Sequence, residues 1–334
     1  MKKNKIFLFA CLFVVFSCEK TDIEGPFLND LYGDLNILED LKIVGDSVNF
    51  ENGESLHFTA SFSKIVDWKI RIQGLNSGSI KIISGKSNVI NSINSSWDGS
   101  STELPFFGSE NCSVELSFET HDTLIESELY IFTPKNYVNE NTVLITDFEA
   151  GFNPNFTGFF QAGCTKSLTI GSSGEGTKYL QQFGTCDWDW LIGYIDYYSN
   201  FWLNQNILVN DPSQVYFNIM IKGDSTISEV DGVPNSLFKL EFYEDENNDG
   251  YYDANTEDRY DFEFDVNWKG WKMVSINYND VENLVAATNN AGDGIRNPNK
   301  IHNVRTLLLA NPNSGFAKAD VDFLIWSIGG PILN

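Results

Sequence analysis

The stretch Val215-Tyr216-Phe217-Asn218-Ile219-Met220-Ile221 decides the fold class. Val215, Phe217, Ile219 and Ile221 recur every second residue, the period at which a strand presents one face. Ser55-Leu56-His57-Phe58-Thr59-Ala60-Ser61-Phe62 and Leu237-Phe238-Lys239-Leu240-Glu241-Phe242-Tyr243 read the same way. Gly, Asn, Asp and Ser break the chain between such runs, and no long amphipathic helix is visible after residue 18. The expectation is an all-β protein, with strands spaced as in sandwiches.

Outward from that stretch, a polar segment opening on proline, Pro134-Lys135-Asn136-Tyr137-Val138-Asn139-Glu140, separates two strand-rich halves. The chain of 334 residues is long enough for two domains. The predicted halves are residues 30–134, the size of one immunoglobulin-like sandwich, and residues 141–334. Aromatic residues make up 14% of the chain, enough for a substantial core. The formal net charge is −24, and removal of the leader lysines would take it three units lower. Such a surface argues against nucleic acid, because nothing would neutralise the phosphates. It disfavours polyanionic glycans and suits neutral ligands and divalent cations, although solubility alone also accounts for acidity.

The N-terminus carries an address. Lys2, Lys3 and Lys5 precede the apolar run Ile6-Phe7-Leu8-Phe9-Ala10-Cys11-Leu12-Phe13-Val14-Val15-Phe16, and Ser17 follows. A basic start, a short apolar stretch and a small residue make a secretory signal over residues 1–17, too short to span a bilayer comfortably. Val15-Phe16-Ser17-Cys18 resembles the lipobox of bacterial lipoproteins, with Val and Phe departing from the commonest residues at its first two positions. The resemblance implies that Cys18 is acylated and becomes the first mature residue. A signal cut elsewhere, with Cys18 incidental, is the alternative. Several acyl chains on one residue anchor a protein stably, where a single chain binds only marginally. Residues 18–29 form an acidic tether containing Glu19-Lys20-Thr21-Asp22-Ile23-Glu24-Gly25-Pro26. It resembles the surface-export signal of lipoproteins from the Bacteroidetes group, which implies an outer-membrane protein facing the medium.

Cys112, Cys164 and Cys186 remain beyond the leader and Cys18. An oxidising exterior permits one disulfide and one leftover thiol. Cys164 and Cys186 lie on neighbouring strand-like segments of the same half and are the favoured pair.

In the first half, Asp67-Trp68-Lys69-Ile70-Arg71-Ile72 and then Ser96-Trp97-Asp98-Gly99 resemble FlgD-type immunoglobulin-like repeats. The resemblance implies a core tryptophan, a Trp-Asp-Gly turn and a spacer without chemistry. The second half opens on Val143-Leu144-Ile145-Thr146-Asp147-Phe148-Glu149-Ala150-Gly151. It continues through Asn267-Trp268-Lys269-Gly270-Trp271-Lys272-Met273-Val274-Ser275-Ile276 and Val304-Arg305-Thr306-Leu307-Leu308-Leu309, and closes on Ala319-Asp320-Val321-Asp322-Phe323-Leu324-Ile325-Trp326. These segments resemble galactose-binding-like jelly rolls among the carbohydrate-binding modules. The whole chain thus resembles a surface glycan-binding lipoprotein of a Bacteroidetes polysaccharide-utilisation system. That implies two β-sandwich domains, non-catalytic capture of a polysaccharide or oligosaccharide, and supply to an outer-membrane glycan transporter.

Asp245-Glu246-Asn247-Asn248-Asp249-Gly250-Tyr251-Tyr252-Asp253 places oxygen side chains at positions one, three, five and nine and Gly at six. This matches most of a calcium loop, with the Tyr251 carbonyl at seven. Candidate ligands are Asp245, Asn247, Asp249, Tyr251 and Asp253; Thr256 stands at position twelve, with Glu257 one later. A solvated acidic hairpin tip is the alternative. From the jelly-roll resemblance alone, Asp147, Glu149 and Asp322 form a second possible structural calcium site.

Cys186-Asp187-Trp188-Asp189-Trp190-Leu191-Ile192-Gly193-Tyr194-Ile195-Asp196-Tyr197-Tyr198 continues to Trp202. As a strand it would put Trp188, Trp190, Tyr194 and Tyr198 on one face. Sugars stack their flat C–H faces on such rings, and neighbouring acids and amides bind hydroxyls, so these four and Trp202 are the glycan-binding candidates. Filling the core is the alternative for each. Trp268 and Trp271 read as packing residues. Asp261, Glu263 and Asp265 alternate along one strand, as glycosidase carboxylates do, which leaves a glycoside hydrolase or lyase as an alternative. A plain solvated face explains the same alternation. His57, His121 and His302 lie in no triad or zinc pattern. A protein-binding adhesion or assembly lipoprotein is the third reading.

Overall fold

The computed structural model describes residues 34–45, 48–186, 190–202, 205–283 and 292–333. The leader, Cys18 and the tether over residues 18–29 lie outside them, as does Trp188. Among the described residues the protein is all-β, with only three-residue 3₁₀ turns as helical elements.

The front unit contains β1 (Ile37–Val44), β2 (His57–Gly74), β3 (Ile80–Ile90), β4 (Glu110–Phe118) and β5 (His121–Ile131). They form one five-stranded sheet in the order β1-β2-β4-β5, with β3 also on β2. β2 is the spine: β1 pairs with its first part and β4 with its second. Phe58, Ala60, Phe62, Val66, Trp68, Ile70 and Ile72 are buried at its alternate positions. The Trp68 indole donates to Ser87 Oγ at 2.9 Å. Its ring lies where a Cβ on Gly85 would come within 2.5 Å, so β3 passes only because that position is glycine. Trp97 is also buried and packs between Phe50 and Phe107 at 5.0 and 5.1 Å. The following turn needs Gly99, whose φ is +83°. Trp68 therefore fills the core, as the sequence predicts, and Trp97 of the turn does so as well.

The rear unit is a sandwich of two antiparallel sheets. One has six strands in the order β15-β13-β12-β16-β10-β7. In chain order these are β7 (Thr157–Phe160), β10 (Leu191–Tyr198), β12 (Ser236–Glu244), β13 (Arg259–Asp265), β15 (Glu282–Asn283) and β16 (Ile301–Ala310). The other has seven strands and contains β6 (Thr142–Thr146), β8 (Thr165–Ile170), β9 (Lys178–Thr185), β11 (Val215–Asp224), β14 (Lys269–Asn277), β17 (Phe316–Lys318) and β18 (Asp320–Ile328). Phe238, Leu240 and Phe242 of the first sheet meet Phe217, Ile219 and Trp326 of the second in one core.

β11 departs from the half-buried strand its sequence predicts. Val215, Phe217, Ile219 and Ile221 face the core, but Asn218 and Met220 are buried on the other face. The front unit and the C-terminal segment cover that face. Met220 joins Phe106, Tyr137, Phe323 and Ile325 in a third apolar cluster. Asn218 Oδ1 accepts from Ser275 Oγ and from the Ile332 amide, and its amide group donates to Ser327 Oγ.

The two units meet at this cluster. The Phe106 and Tyr137 rings stack at 3.9 Å, and the Phe106 amide donates to the Gly174 carbonyl at 2.9 Å. Lys135 pairs with Asp98 beside the Trp97 turn. Burial opposes the charge of Asp98, but hydrogen bonds from Lys135 and Ser100 outweigh it and lower its pKa to about 2. A carboxyl with a depressed folded pKa stabilises above its unfolded pKa and loses that contribution as pH falls through the folded value. The Asp98 side chain is 50% exposed, so screening limits the effect. Asp98→Asn is expected to cost up to about 1 kcal/mol at pH 7 in urea unfolding, with the difference disappearing as pH falls from about 4 to about 2.

Cys164 and Cys186, the pair favoured from sequence, are both half-buried and pack against the rear core. Cys164 Sγ lies 3.5 Å from the Thr185 carbonyl oxygen.

Candidate functional site

The outer face of the six-stranded sheet carries a row of ionised side chains that cross-strand pairing brings together. Asp196 of β10 stands opposite Arg305 of β16; Arg305 stands opposite Glu241 of β12, and Glu241 opposite Asp261 of β13. The Arg305 guanidinium grips Asp196 with two bonds, Nε to Oδ1 at 2.8 Å and Nη2 to Oδ2 at 3.0 Å. Its Nη1 lies 3.8 Å from Glu241. Lys239 reaches Glu241 at 3.3 Å and also pairs with Asp261, which Arg259 Nε contacts at 3.2 Å. Asn303 donates to Asp196 at 2.9 Å, and the Tyr243 hydroxyl donates to Glu241.

This floor is unusually dry for an outward face. Asp196, Glu241 and Asp261 are 4%, 6% and 1% exposed. Burial of an acid is tolerated when charge and hydrogen bonds compensate it, and three cations stand against three acids here. Burial opposes the charge on Arg305, but Asp196, Tyr243 and Glu241 more than offset it and hold the guanidinium above its ordinary range. Lys239 is raised in the same way: Asp261 and Glu241 overcome its desolvation. Burial raises the Asp261 carboxyl, and Glu241 adds to this, against Lys239 and Arg259. Burial and the neighbouring Glu241 keep the Tyr243 phenol protonated.

Aromatic rings flank the charged row. The Arg305 guanidinium lies 4.1 Å from the Tyr194 ring centre and 5.2 Å from that of Tyr243. Tyr198 packs edge-on against His302 at 5.6 Å, and Phe159 lies beside Tyr194 at 6.1 Å. Tyr194 and Tyr198 are half-buried, so each ring offers part of its surface.

The predicted aromatic candidates therefore separate. Tyr194 and Tyr198 share the outer face, with Asp196 between them. Trp190 is 53% exposed just before β10. A register shift between Leu191 and Gly193 breaks the period of two, so Leu191, not Trp190, continues the row of Tyr194. Trp202 is a correction: it is 6% exposed and packs in the core against Trp326 at 6.3 Å. A short 3₁₀ turn over Ser199–Phe201 carries it off the line of β10. Trp268 and Trp271 pack as expected, the first stacked on Phe264 and the second bonded to the Ser172 carbonyl.

Asp261, Glu263 and Asp265 do share the outer face, but they do not form one equally solvated row. Lys239 and Arg259 hold Asp261, while Glu263 and Asp265 are exposed beyond it. Arg305, Glu241, Lys239, Arg259, Tyr243 and Asn303 escaped the sequence reading. Their only signal was alternation within β12 and β16, which does not reveal which strands are neighbours.

The acidic loop after β12 folds back on itself. Asp245 accepts from the Asp249 and Gly250 amides at 3.1 and 2.8 Å, Asn247 from the Asp249 amide, and Asp249 from the Tyr251 amide. Glu257, 1% exposed, accepts from the Asn247 and Asp253 amides and so closes the loop one place later than position twelve. Lys300 reaches in to the Asn248 side chain. The donor set is oxygen only, as calcium requires, and each of these oxygens retains a second lone pair. The Asp253 side chain instead caps Asn255, and the Tyr251 side chain is exposed, which leaves its carbonyl as the relevant group.

Asp147, Glu149 and Asp322 converge on the segment 171–178. Glu149 accepts from the Thr177 and Lys178 amides at 2.7 and 2.6 Å, and Asp322 from those of Gly174 and Glu175, both at 2.9 Å. These oxygens hold a hairpin by its N–H groups. Glu175, not foreseen from sequence, lies among them; burial raises it to about 7, with Asp147 and Glu149 adding repulsion.

No family model matches the chain, and no curated protein matches it. Among solved structures, it is similar to a family 11 carbohydrate-binding module from Clostridium thermocellum in complex with a β-1,3-1,4-mixed-linked tetrasaccharide. Identity is 16% and the TM-score 0.36, over 56% of this chain and 96% of that one. It is also similar to the tandem family 22 modules of Paenibacillus barcinonensis Xyn10C, at 9% identity and a TM-score of 0.33, over 89% and 93% of the two chains. A third is a family 28 module specific for non-crystalline cellulose, at 14% identity and a TM-score of 0.33, over 55% and 91%.

Proposed function

We propose that this protein is a non-catalytic glycan-capture protein and that the outer face of the six-stranded sheet is its binding platform. One observation carries the reading: a charge-balanced floor of Asp196, Arg305, Glu241, Lys239, Asp261 and Arg259, bordered by the partly open rings of Tyr194 and Tyr198. Sugars present alternating hydroxyl rims and flat C–H faces. Side chains already locked by their neighbours meet the rims without further ordering, and the rings meet the faces. A floor whose charges cancel gives no purchase to a polyanion, so the ligand is a neutral polysaccharide or oligosaccharide such as a glucan, mannan or xylan.

The lipobox at Cys18 supports anchoring to the outer membrane, with the acidic tether directing the protein to the cell surface. There it would pass glycan to a neighbouring transporter. The loop Asp245–Asp253, closed by Glu257, is proposed as a structural calcium site. The pairing of Asp261 with Lys239 and Arg259 supports a structural role for that carboxylate, in keeping with capture without cleavage.

Calorimetry and affinity electrophoresis against a panel of neutral polysaccharides test the platform. Tyr194→Ala is expected to weaken the best ligand by at least about tenfold, the scale of truncating a central aromatic anchor. Binding to none of the panel by the folded protein with calcium present would overturn the reading. Sugar release that Glu263→Gln abolishes would replace capture by hydrolysis or lysis. A stoichiometric protein partner, without glycan affinity, would replace it by adhesion.

A further inference from the structure

At one end of the rear sandwich the inner face of the six-stranded sheet changes from apolar to acidic. β12 puts Phe242 in the core and then Glu244, both 0% exposed, and the chain runs on to Glu246. On the adjacent strand Tyr260 is likewise fully buried, and Asp258, two residues earlier, is 2% exposed. The segment around Gly292–Gly294 closes over this end. The Gly294 amide donates to Asp258 Oδ2 at 2.7 Å. A Cβ on Gly292 would come within 2.3 Å of the Asp258 carboxyl carbon, so the segment approaches only as glycine. Carboxylate oxygens of Glu246, Asp258 and Asp293 all lie within 4.8 Å of one another, the single such group among the described residues.

Two buried acceptors here have no donor. Glu244 Oε1 takes the Tyr278 hydroxyl at 2.8 Å and the Asn297 amide at 2.7 Å, but its Oε2 is buried without a hydrogen bond. Glu246 Oε1 is buried and unpartnered as well. Leaving such oxygens unsatisfied is costly, and gathering several acids without compensation more so. Asp258 and Glu246 both bear on the charge of Glu244, and Asp258 and Asp293 on that of Glu246, so the orphaned oxygens belong to one electrostatic unit.

We propose that Glu246, Asp258 and Asp293, with Glu244 behind them, bind a hard divalent cation of the calcium class, at a site distinct from the ligand set Asp245, Asn247, Asp249, Tyr251 and Asp253. The donors are oxygens only, drawn from three chain segments in an irregular arrangement. Calcium accepts six to eight such ligands without strict geometry, whereas magnesium demands a near-ideal octahedron. The ion compensates the buried acids and ties the segment after residue 292 to the ends of β12 and β13. The proposal is independent of glycan binding.

The test uses the full chain, stripped with a chelator and titrated with calcium alone by calorimetry. Terbium luminescence excited through Tyr278, which is bonded to Glu244, reports the same site. The wild type is expected to bind both ions. Asp293 is exposed, so Asp293→Asn should fold normally by circular dichroism yet weaken calcium at least about tenfold and dim the terbium signal. Glu246→Gln should do the same. Absence of calcium binding by the wild type would overturn the proposal. So would binding that Asp245→Asn removes and Asp293→Asn leaves intact, which would assign the ion to the neighbouring loop.

Discussion

Arg305→Ala will destabilise the protein by about 3–5 kcal/mol, because it leaves Asp196 buried without its cation and Glu241 with Lys239 alone. Arg305 supplies both bonds of the bidentate pair with Asp196, and its other terminal nitrogen faces Glu241. The two acids are nearly inaccessible, so water cannot replace it. The guanidinium also covers the Tyr194 ring at 4.1 Å, so its removal frees the ring to move. In urea the midpoint should fall with little change in slope, and Tm should drop by about 6–20 °C. Arg305→Lys keeps the charge but loses the fork and should fall between wild type and alanine. The double variant Asp196→Asn/Arg305→Met should be more stable than Arg305→Ala alone, since no acid is then left without its partner on that side. A loss under about 1 kcal/mol for Arg305→Ala would mean that the row behaves as an ordinary surface pair and is not a locked floor. On the proposed reading, glycan affinity should fall in step with loss of the floor.

Trp326→Ala is expected to cost a similar 3–5 kcal/mol for a different reason. Trp326 is 0% exposed at the centre of the rear core. Phe217, Phe242, Tyr278 and Trp202 surround it at ring separations of 4.9, 5.5, 5.9 and 6.3 Å. These rings belong to both sheets and to the segments beside them, so none can collapse into the void without pulling a strand from its ladder. Equilibrium unfolding measures the loss. Tryptophan fluorescence should also report it, because Trp202 loses its neighbour. A change below about 1 kcal/mol would show that the core refills, contrary to the crossing of rings seen here.

The sequence made the strands legible because period-two burial is a local property. It also identified Trp68 as a core residue, and Tyr194 and Tyr198 as sharing a face. What it hid was neighbourhood. Asp196 and Arg305 are 109 residues apart and meet only because β10 and β16 pair. The pairing of Asp261 was hidden because its contact with Lys239 depends on the register of β12 with β13. Trp202 looked like a fifth platform ring because a single turn, invisible in composition, sends it inward. The acidic loop showed its ligand types plainly, while its closing residue, Glu257, sat one place off the expected spacing. The alternation of β11 suggested one wet face, but a distant ring, Tyr137, and the chain end cover it.

The stacked rings at the junction of the two units have a consequence for diffusion. Phe106 is held at once by Tyr137, by Phe323 and through its amide by Gly174. A joint fastened on three sides makes the units tumble as one particle, so the heading of the six-stranded sheet relative to the front unit is fixed when the chain folds. On the proposed reading, engaging a long polymer then requires no freezing of a swivel, and the orientational entropy that a floppy stalk would surrender at each encounter has already been given up.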